Sequence, residues 1–271
     1  MTTQPPPPEN PLLTVAVIAF NEADRIGRLL KTCDSLGVEI LVVDSGSSDG
    51  TVEVCREHGA KVMHQTWRGY AAQKQFALET ARGEWILSLD ADEAPSAQAI
   101  AEILSAVKNA APDVAGFSMP RMSRYLNRWI RHGGWYPDRK VRLVRRGMGR
   151  WVGEGVHEGL HVEGNVVKLS QPLLHYVYRD IADQVKTINR FSTVTADYRR
   201  RGASMWYVWW GIVHAAAKFL ECAVWKLGIL DGVPGLIIAV NSAFYVFLKH
   251  AKAWEKGLPR DHGSSDGRGP A

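Results

Sequence analysis

The chain carries an acidic cluster, Asp90-Ala91-Asp92-Glu93, directly after the apolar run Glu84–Leu89. Two carboxylates one residue apart, held where an extended segment ends, can share a hard divalent cation and leave its other positions to phosphate oxygens. A cation there would neutralise a departing diphosphate. A D-x-D triplet alone is common, so its weight depends on what stands beside it. Asp44 closes the run EILVVD and is followed by Ser45-Gly46-Ser47-Ser48-Asp49-Gly50-Thr51. Small residues let backbone amides approach a ligand and cap a following helix, and the strand-end carboxylate can accept hydrogen bonds from a base or ribose. The P-loop spacing G-x-x-x-x-G-K-[ST] is absent. His175 is a candidate third metal ligand, since neutral imidazole suits manganese; a buried, hydrogen-bonded histidine is the competing reading.

Positioning these groups falls to alternating strand-like and helix-like segments. Leu13–Ala19, Glu39–Asp44, Lys61–His64 and Glu84–Leu89 read as strands; 22–36, 51–58, 69–82 and 95–108 read as helices, the last opened by Pro95. Such alternation predicts an α/β fold, a mostly parallel sheet with helices on both faces. Ligands collect at the carboxyl ends of such strands, where Asn21, Glu22, Asp44, Asp90 and Asp92 all fall. A further strand is expected at 116–122; the basic region with the strand around 141–144 follows, then the segment 166–178, and the pattern becomes helical over 181–201.

The net charge is +5, unevenly spread. Arg121, Arg124, Arg128, Arg131, Arg139, Lys140, Arg142, Arg145, Arg146 and Arg150 face one acid, Asp138. That stretch predicts an anionic partner, either phosphates on an acceptor or acidic lipid headgroups. Nucleic acid is disfavoured, because no binding motif accompanies the charge. Cys33, Cys55 and Cys222 are far apart and form no C-x-x-C pair, so reduced thiols in a cytoplasmic protein are expected, without structural zinc. The opening MTTQPPPPENP lacks the apolar run of a signal peptide.

Beyond residue 204 the composition changes. Ser204–Leu230 carries Trp206, Trp209, Trp210 and Trp225, with His214, Lys218 and Glu221 on one helical face, which predicts one long amphipathic helix. DGVPG reads as a break. Leu236–Leu248 is uncharged but short of the roughly 20 residues needed to cross a bilayer. The expectation is therefore a pair of helices lying in the membrane interface, with packing onto the domain or a second subunit as the alternative.

AFNEADRIGRLL, VVDSGSSDGT, ARGEW and LSLDADE, taken in order over residues 13–95, resemble the family-two inverting glycosyltransferases of the GT-A fold. The resemblance implies a nucleotide-sugar donor and a divalent metal, Mg²⁺ or Mn²⁺. It implies that Asn21 and Glu22 line the nucleotide pocket and that Asp44 binds the base with Asp49 beside it. Arg68, Gly69, Gln73 and Lys74 would face the donor, Asp90 would contact ribose or metal, and Asp92 would be the main metal ligand. GGWYPDRKVRLVRR, VHE and LDGVPGLIIAVNSAFYVFLKHAKAWE extend the similarity, to about residue 256, toward the lipopolysaccharide inner-core β-1,4-glucosyltransferases. That implies UDP-glucose as donor and a heptose of an anionic glycolipid as acceptor, at the cytoplasmic side of the inner membrane of a Gram-negative cell.

An inverting transfer needs a carboxylate base. Glu158, in VHEG, is the first choice, since it matches where the family places its base; His157 either orients it or is an ordinary loop histidine. Asp138 is the rival. Trp135 and Tyr136 either stack on a sugar or pack the loop.

The expected organisation is a disordered 1–11, a GT-A catalytic domain over 12–180 (nucleotide-sugar half 12–95, acceptor half 116–180), a helical membrane-associating region over 181–257 and a disordered 258–271. A polyprenyl-phosphate or capsule acceptor, a nucleotidyltransferase, and an inactive membrane-peripheral sugar-nucleotide-binding protein are the alternatives. Oligomeric state is left open.

Overall fold

The computed structural model describes residues 11–34, 37–153, 158–197 and 204–258. The expected disordered ends, apart from residues 11 and 258, and His157 lie outside the described residues. The chain forms two compact units, Met1–Arg124 with Trp135–Val177 and Tyr125–Gly134 with Tyr178–Ala271.

The first unit is built on a mixed, mostly parallel sheet. Strand β1 (Leu13–Ala19) pairs in parallel with β2 (Glu39–Asp44) on one side and β4 (Trp85–Asp90) on the other, and β3 (Lys61–His64) extends the β2 side. The chain therefore winds outward to β3 and returns across β1 to β4, which makes a topological switch point of the kind that opens a ligand crevice. Register fixes which residues meet there, with Ala19 beside Asp44 and Ile18 beside Asp90. Beyond β4 the sheet continues with β8 (Asp138–Arg145), β6 (Val114–Tyr125), β12 (Leu173–His175) and β5 (Glu93–Pro95), and β11 (Asn165–Lys168) also pairs β6. The antiparallel β12–β5 pair sets His175 opposite Glu93, and the parallel β12–β6 pair sets it beside Ser123.

Central strands buried on both faces favour near-continuous apolar residues, which is why β1 and β2 read as mostly hydrophobic runs, with buried Thr14 satisfied by a hydrogen bond to Glu39 (2.7 Å). Val15 and Val17 face one core with Ile26, Leu29 and Leu30 of α1 (Ala23–Cys33) and Ile103 of α4 (Ala97–Lys108). Ala16, Leu41, Val43 and Ile86 face the other, against Ala77 and Leu78 of α3 (Tyr70–Thr80). Each such fully buried Leu or Ile contributes about 1.5–3 kcal/mol relative to exposure. α2 (Thr51–Glu57) follows β2 and buries Thr51 and Cys55. The antiparallel pair β9 (Gly149–Val152) and β10 (Gly159–Val162) adds Trp151 and Leu160 to the second core. Burial pushes the Cys33 and Cys55 thiols up to about 11, so neither is a nucleophile at neutral pH.

The second unit contains the short β7 (Arg128–Trp129), α5 (Ile181–Asp197), α6 (Trp206–Leu220) and α7 (Gly232–Glu255). Two sequence expectations change here. The single amphipathic helix over 204–230 is divided, because α6 ends at Leu220 and gives way to a π-helical turn, Glu221–Trp225, and a 3-10 turn, Gly228–Asp231. DGVPG starts a helix rather than separating two. Pro234 sits in the first turn of α7, where a missing N–H leaves no bond unmade. The helical stretch Gly228–Glu255 has 28 residues, and its most apolar 18-residue window has mean hydropathy 1.6 and is 28% buried, so it is long and apolar enough by composition to cross a membrane. α6 buries only Gly211 and leaves Trp206, Trp209, Trp210, Ile212 and Val213 exposed.

Candidate active site

The loops after β1 and β2 are zipped together by hydrogen bonds from short polar side chains. Asn21 N–H donates to Ser47 Oγ (2.9 Å), Ser48 N–H to Asn21 Oδ1 (2.9 Å), Glu22 N–H to Thr51 Oγ1 (2.9 Å) and Ala23 N–H to Asp49 Oδ2 (3.1 Å). Asn21 adopts φ 54°, a left-handed conformation that asparagine tolerates. Asp44 is 3% exposed and turns into its own loop, accepting from Gly46 N–H (2.8 Å), Ser47 N–H (2.9 Å) and Ser47 Oγ (2.5 Å). Its carboxylate thus shapes the loop wall. Asp49 is held below the usual carboxylate range by the Thr51 hydroxyl.

Helix α3 brings up the next layer. Gly69 opens it at φ 95°, and Arg68 before it is exposed. Gln73 is fully buried and donates to Ser45 Oγ (3.1 Å) and Gln65 O (2.9 Å). Its Oε1 is buried with no partner among the described residues. Lys74, expected from the resemblance to face the donor, also bridges two carboxylates. Its ammonium is buried between Asp90 (2.6 Å) and Glu158 (3.1 Å), above the Trp151 ring (4.7 Å). It brings the β4 terminus and the first-choice base to one cation. Glu158 Oε2 is likewise buried without a partner among the described residues.

The acidic cluster divides by function. Glu93 is fully buried and clamped by Arg142, with Nε to Oε2 at 2.9 Å and Nη2 to Oε1 at 2.8 Å, and Arg121 approaches at 3.4 Å. Arg142 Nη2 also reaches Asp90 Oδ2 (2.8 Å). Burial works to raise the Asp90 pKa, but Arg142 and Lys74 overcome it and hold the carboxyl well below its ordinary range. Asp90 is therefore engaged by two cations, and Asp92 is the freer member. Asp92 Oδ2 lies 3.4 Å from His175 Nε2 and 3.8 Å from Arg25 Nη1. The other ring nitrogen, Nδ1, shares a hydrogen bond with Ser123 Oγ (3.1 Å), which turns Nε2 toward Asp92. Among the described residues no group of three or more His, Cys, Asp and Glu is gathered as a metal cage.

The basic run proves not to be one surface. Arg121 binds Asp138 through Nε (3.1 Å) and Nη2 (2.6 Å), and Lys140 joins the same carboxylate (3.2 Å). Arg142 is buried as described, Arg145 pairs with Glu84 (2.8 Å), and Arg139 donates to backbone carbonyls. Arg121 and Lys140 thus share the one acid of the run, while Arg139, Arg142 and Arg145 are satisfied by groups from elsewhere in the fold, which a local count of acids cannot reveal. Burial tends to raise the Asp138 pKa, but Arg121 and Lys140 outweigh it and lower the net value.

A family model described as glycosyl transferase family 2 matches residues 14–159. The lipopolysaccharide core biosynthesis glycosyltransferase LpsC of Rhizobium meliloti is 30% identical over 255 residues, covering 90% of this chain and 92% of its own. An uncharacterized glycosyltransferase of Rickettsia conorii, RC0292, is 26% identical over 268 residues, covering 91% of each. Among solved structures, the mannosyltransferase PcManGT of Pyrobaculum calidifontis, in complex with GDP-Man and Mn²⁺, aligns with TM-score 0.54 at 17% identity, covering 93% of this chain and 90% of that one.

Proposed function

Because the chain belongs to glycosyl transferase family 2 and has the GT-A fold, we propose that it is an inverting, metal-dependent hexosyltransferase acting on the lipopolysaccharide core. The observation that carries the reading is the Lys74 bridge, which joins Asp90, at the end of a central strand, to Glu158 in one buried cluster. Donor-side groups and a base must sit this close for a hydroxyl to attack as a diphosphate leaves.

Asp92 and His175 fit a divalent cation. They offer one hard oxygen and one neutral imidazole nitrogen on the same side, with the imidazole oriented from behind by Ser123. Two protein ligands suffice where donor phosphates supply the rest, and the cation would offset the charge of the departing nucleotide. Asn21, Glu22, Asp44 and Asp49 form the wall for the nucleotide, with Gln73 Oε1 as an unspent acceptor behind it. Arg68 and Gly69, at the start of α3, complete that side.

As base we favour Glu158, whose Oε2 has no partner among the described residues, over Asp138, whose carboxylate is engaged by Arg121 and Lys140. A base must give up its existing partners to accept a proton, and Glu158 has fewer to lose.

UDP-glucose is the proposed donor and a heptose-bearing, anionic core glycolipid the proposed acceptor; LpsC is named for the same pathway. The exposed apolar surface of α6 and α7 supports peripheral attachment to the inner membrane from its cytoplasmic side. Calorimetry with UDP and Mn²⁺, followed by glycolipid extension from UDP-glucose, tests the reading. Asp92→Ala should remove metal-dependent UDP binding and product, and His175→Ala should weaken binding. Retained activity in Asp92→Ala would refute the metal role, and extension of a polyprenyl phosphate in place of core glycolipid would redirect the acceptor.

A further inference from the structure

Arg128 and Arg131 are the cations of the basic run that fall in the second unit, and they are distinguished by where their loop is anchored. Asp231 is 2% exposed, and its carboxylate accepts the Arg131 N–H (3.0 Å), the His132 N–H (2.8 Å) and a hydrogen bond with His132 Nδ1 (3.1 Å). Gly133 N–H adds a bond to Lys226 O (2.8 Å). A buried carboxylate spent on consecutive backbone amides fixes the loop onto the turn between α6 and α7. Arg128 lies along that turn, donating to Leu230 O (3.2 Å), yet half its side chain is exposed. Arg131 is exposed, and its guanidinium meets no acid among the described residues. The same turn carries strongly exposed apolar side chains, Trp225 at 87% and Val233 at 70%, with Ile229 and Leu230 between them.

We propose that this end of the helical hairpin is a binding site for anionic phospholipid in a bilayer. Trp225, Ile229, Leu230 and Val233 enter the acyl boundary, and Arg128 and Arg131 take headgroup phosphate. The charge complementarity selects the occupant. Two exposed arginines on a loop anchored beside an apolar tip match a surface that is apolar within and anionic at its edge, whereas a soluble protein partner would be expected to cover the tip with its own apolar face. Asp231 is the positioning residue, because it holds the Arg131 backbone N–H and lies 4.0 Å from Arg128 Nε while its own charge stays buried.

The proposal rests on the membrane reading above and is separable from it. The test is cosedimentation of the full chain with phosphatidylcholine vesicles, with and without phosphatidylglycerol. Wild type should prefer the anionic vesicles. Arg128→Gln with Arg131→Gln should lower affinity for them by about 30-fold, at about tenfold per 1.4 kcal/mol and 1 kcal/mol per cation. Binding to neutral vesicles should stay unchanged. Trp225→Ser should weaken binding to both kinds. Arg146→Gln with Arg150→Gln removes two exposed cations of the first unit and should leave the preference intact. If that control falls as far as the Arg128 and Arg131 variant, or if the latter keeps the preference, the site is refuted while membrane attachment stands. If wild type binds neither vesicle, the membrane reading itself fails.

Discussion

Arg142→Met is the most informative single change to the donor-side cluster. Arg142 is 5% exposed and makes three charged hydrogen bonds, two to the fully buried Glu93 and one to Asp90, at 2.8–2.9 Å. Methionine fills much of the volume but leaves the Glu93 charge with only the longer Arg121 contact at 3.4 Å as a cationic partner, beside the Asp90 N–H at 3.2 Å. Breaking a buried pair by removing one partner costs about 3–5 kcal/mol, chiefly because an uncompensated charge remains. At about 2–4 °C per kcal/mol for a protein of this size class, the melting midpoint should fall by about 6–20 °C. Differential scanning calorimetry reads that shift. The companion variant, Arg142→Met with Glu93→Leu, leaves no stranded charge at position 93 and should recover a substantial part of the loss. A melting midpoint within about 2 °C of wild type for Arg142→Met alone would refute the reasoning. So would a double variant no more stable than the single one, since the penalty would then come from packing rather than charge.

Two further outcomes are expected. Glu158→Gln should lower kcat by on the order of 10²–10⁴-fold, the usual worth of a general base, with UDP affinity nearly unchanged in calorimetry; Asp138→Asn should cost less than Glu158→Gln, and the reverse order of losses would make Asp138 the base. Acid should destabilise the first unit: Asp90, Asp138 and Glu39 all have lowered folded pKa values, so their stabilisation is complete above the unfolded values near 4 and is lost as pH falls through the folded ones. Denaturation midpoints flat from about pH 7 down to pH 3 would contradict this.

The linear sequence determined where the sheet lies and which of its ends is chemical. Apolar runs buried on both faces have one structural solution, and small polar residues directly after them mark the strand ends, so β1, β2 and β4 with Asn21, Asp44 and Asp90 were all legible. Helix limits in the C-terminal unit were not. The π-helical and 3-10 turns between Leu220 and Asp231, and a proline that begins α7, are local choices settled by packing rather than periodicity. Tertiary structure alone decided how the charges pair. Lys74 meets Glu158 across 84 positions of sequence, and Arg142 meets Glu93 across 49. No spacing rule reaches that far, because the partner of a buried charge is whichever group the fold carries into its low-dielectric surroundings. For the same reason Arg142 and Arg145 of the basic run are taken up by acids distant in sequence, while Arg128, Arg131, Arg146 and Arg150 stay exposed.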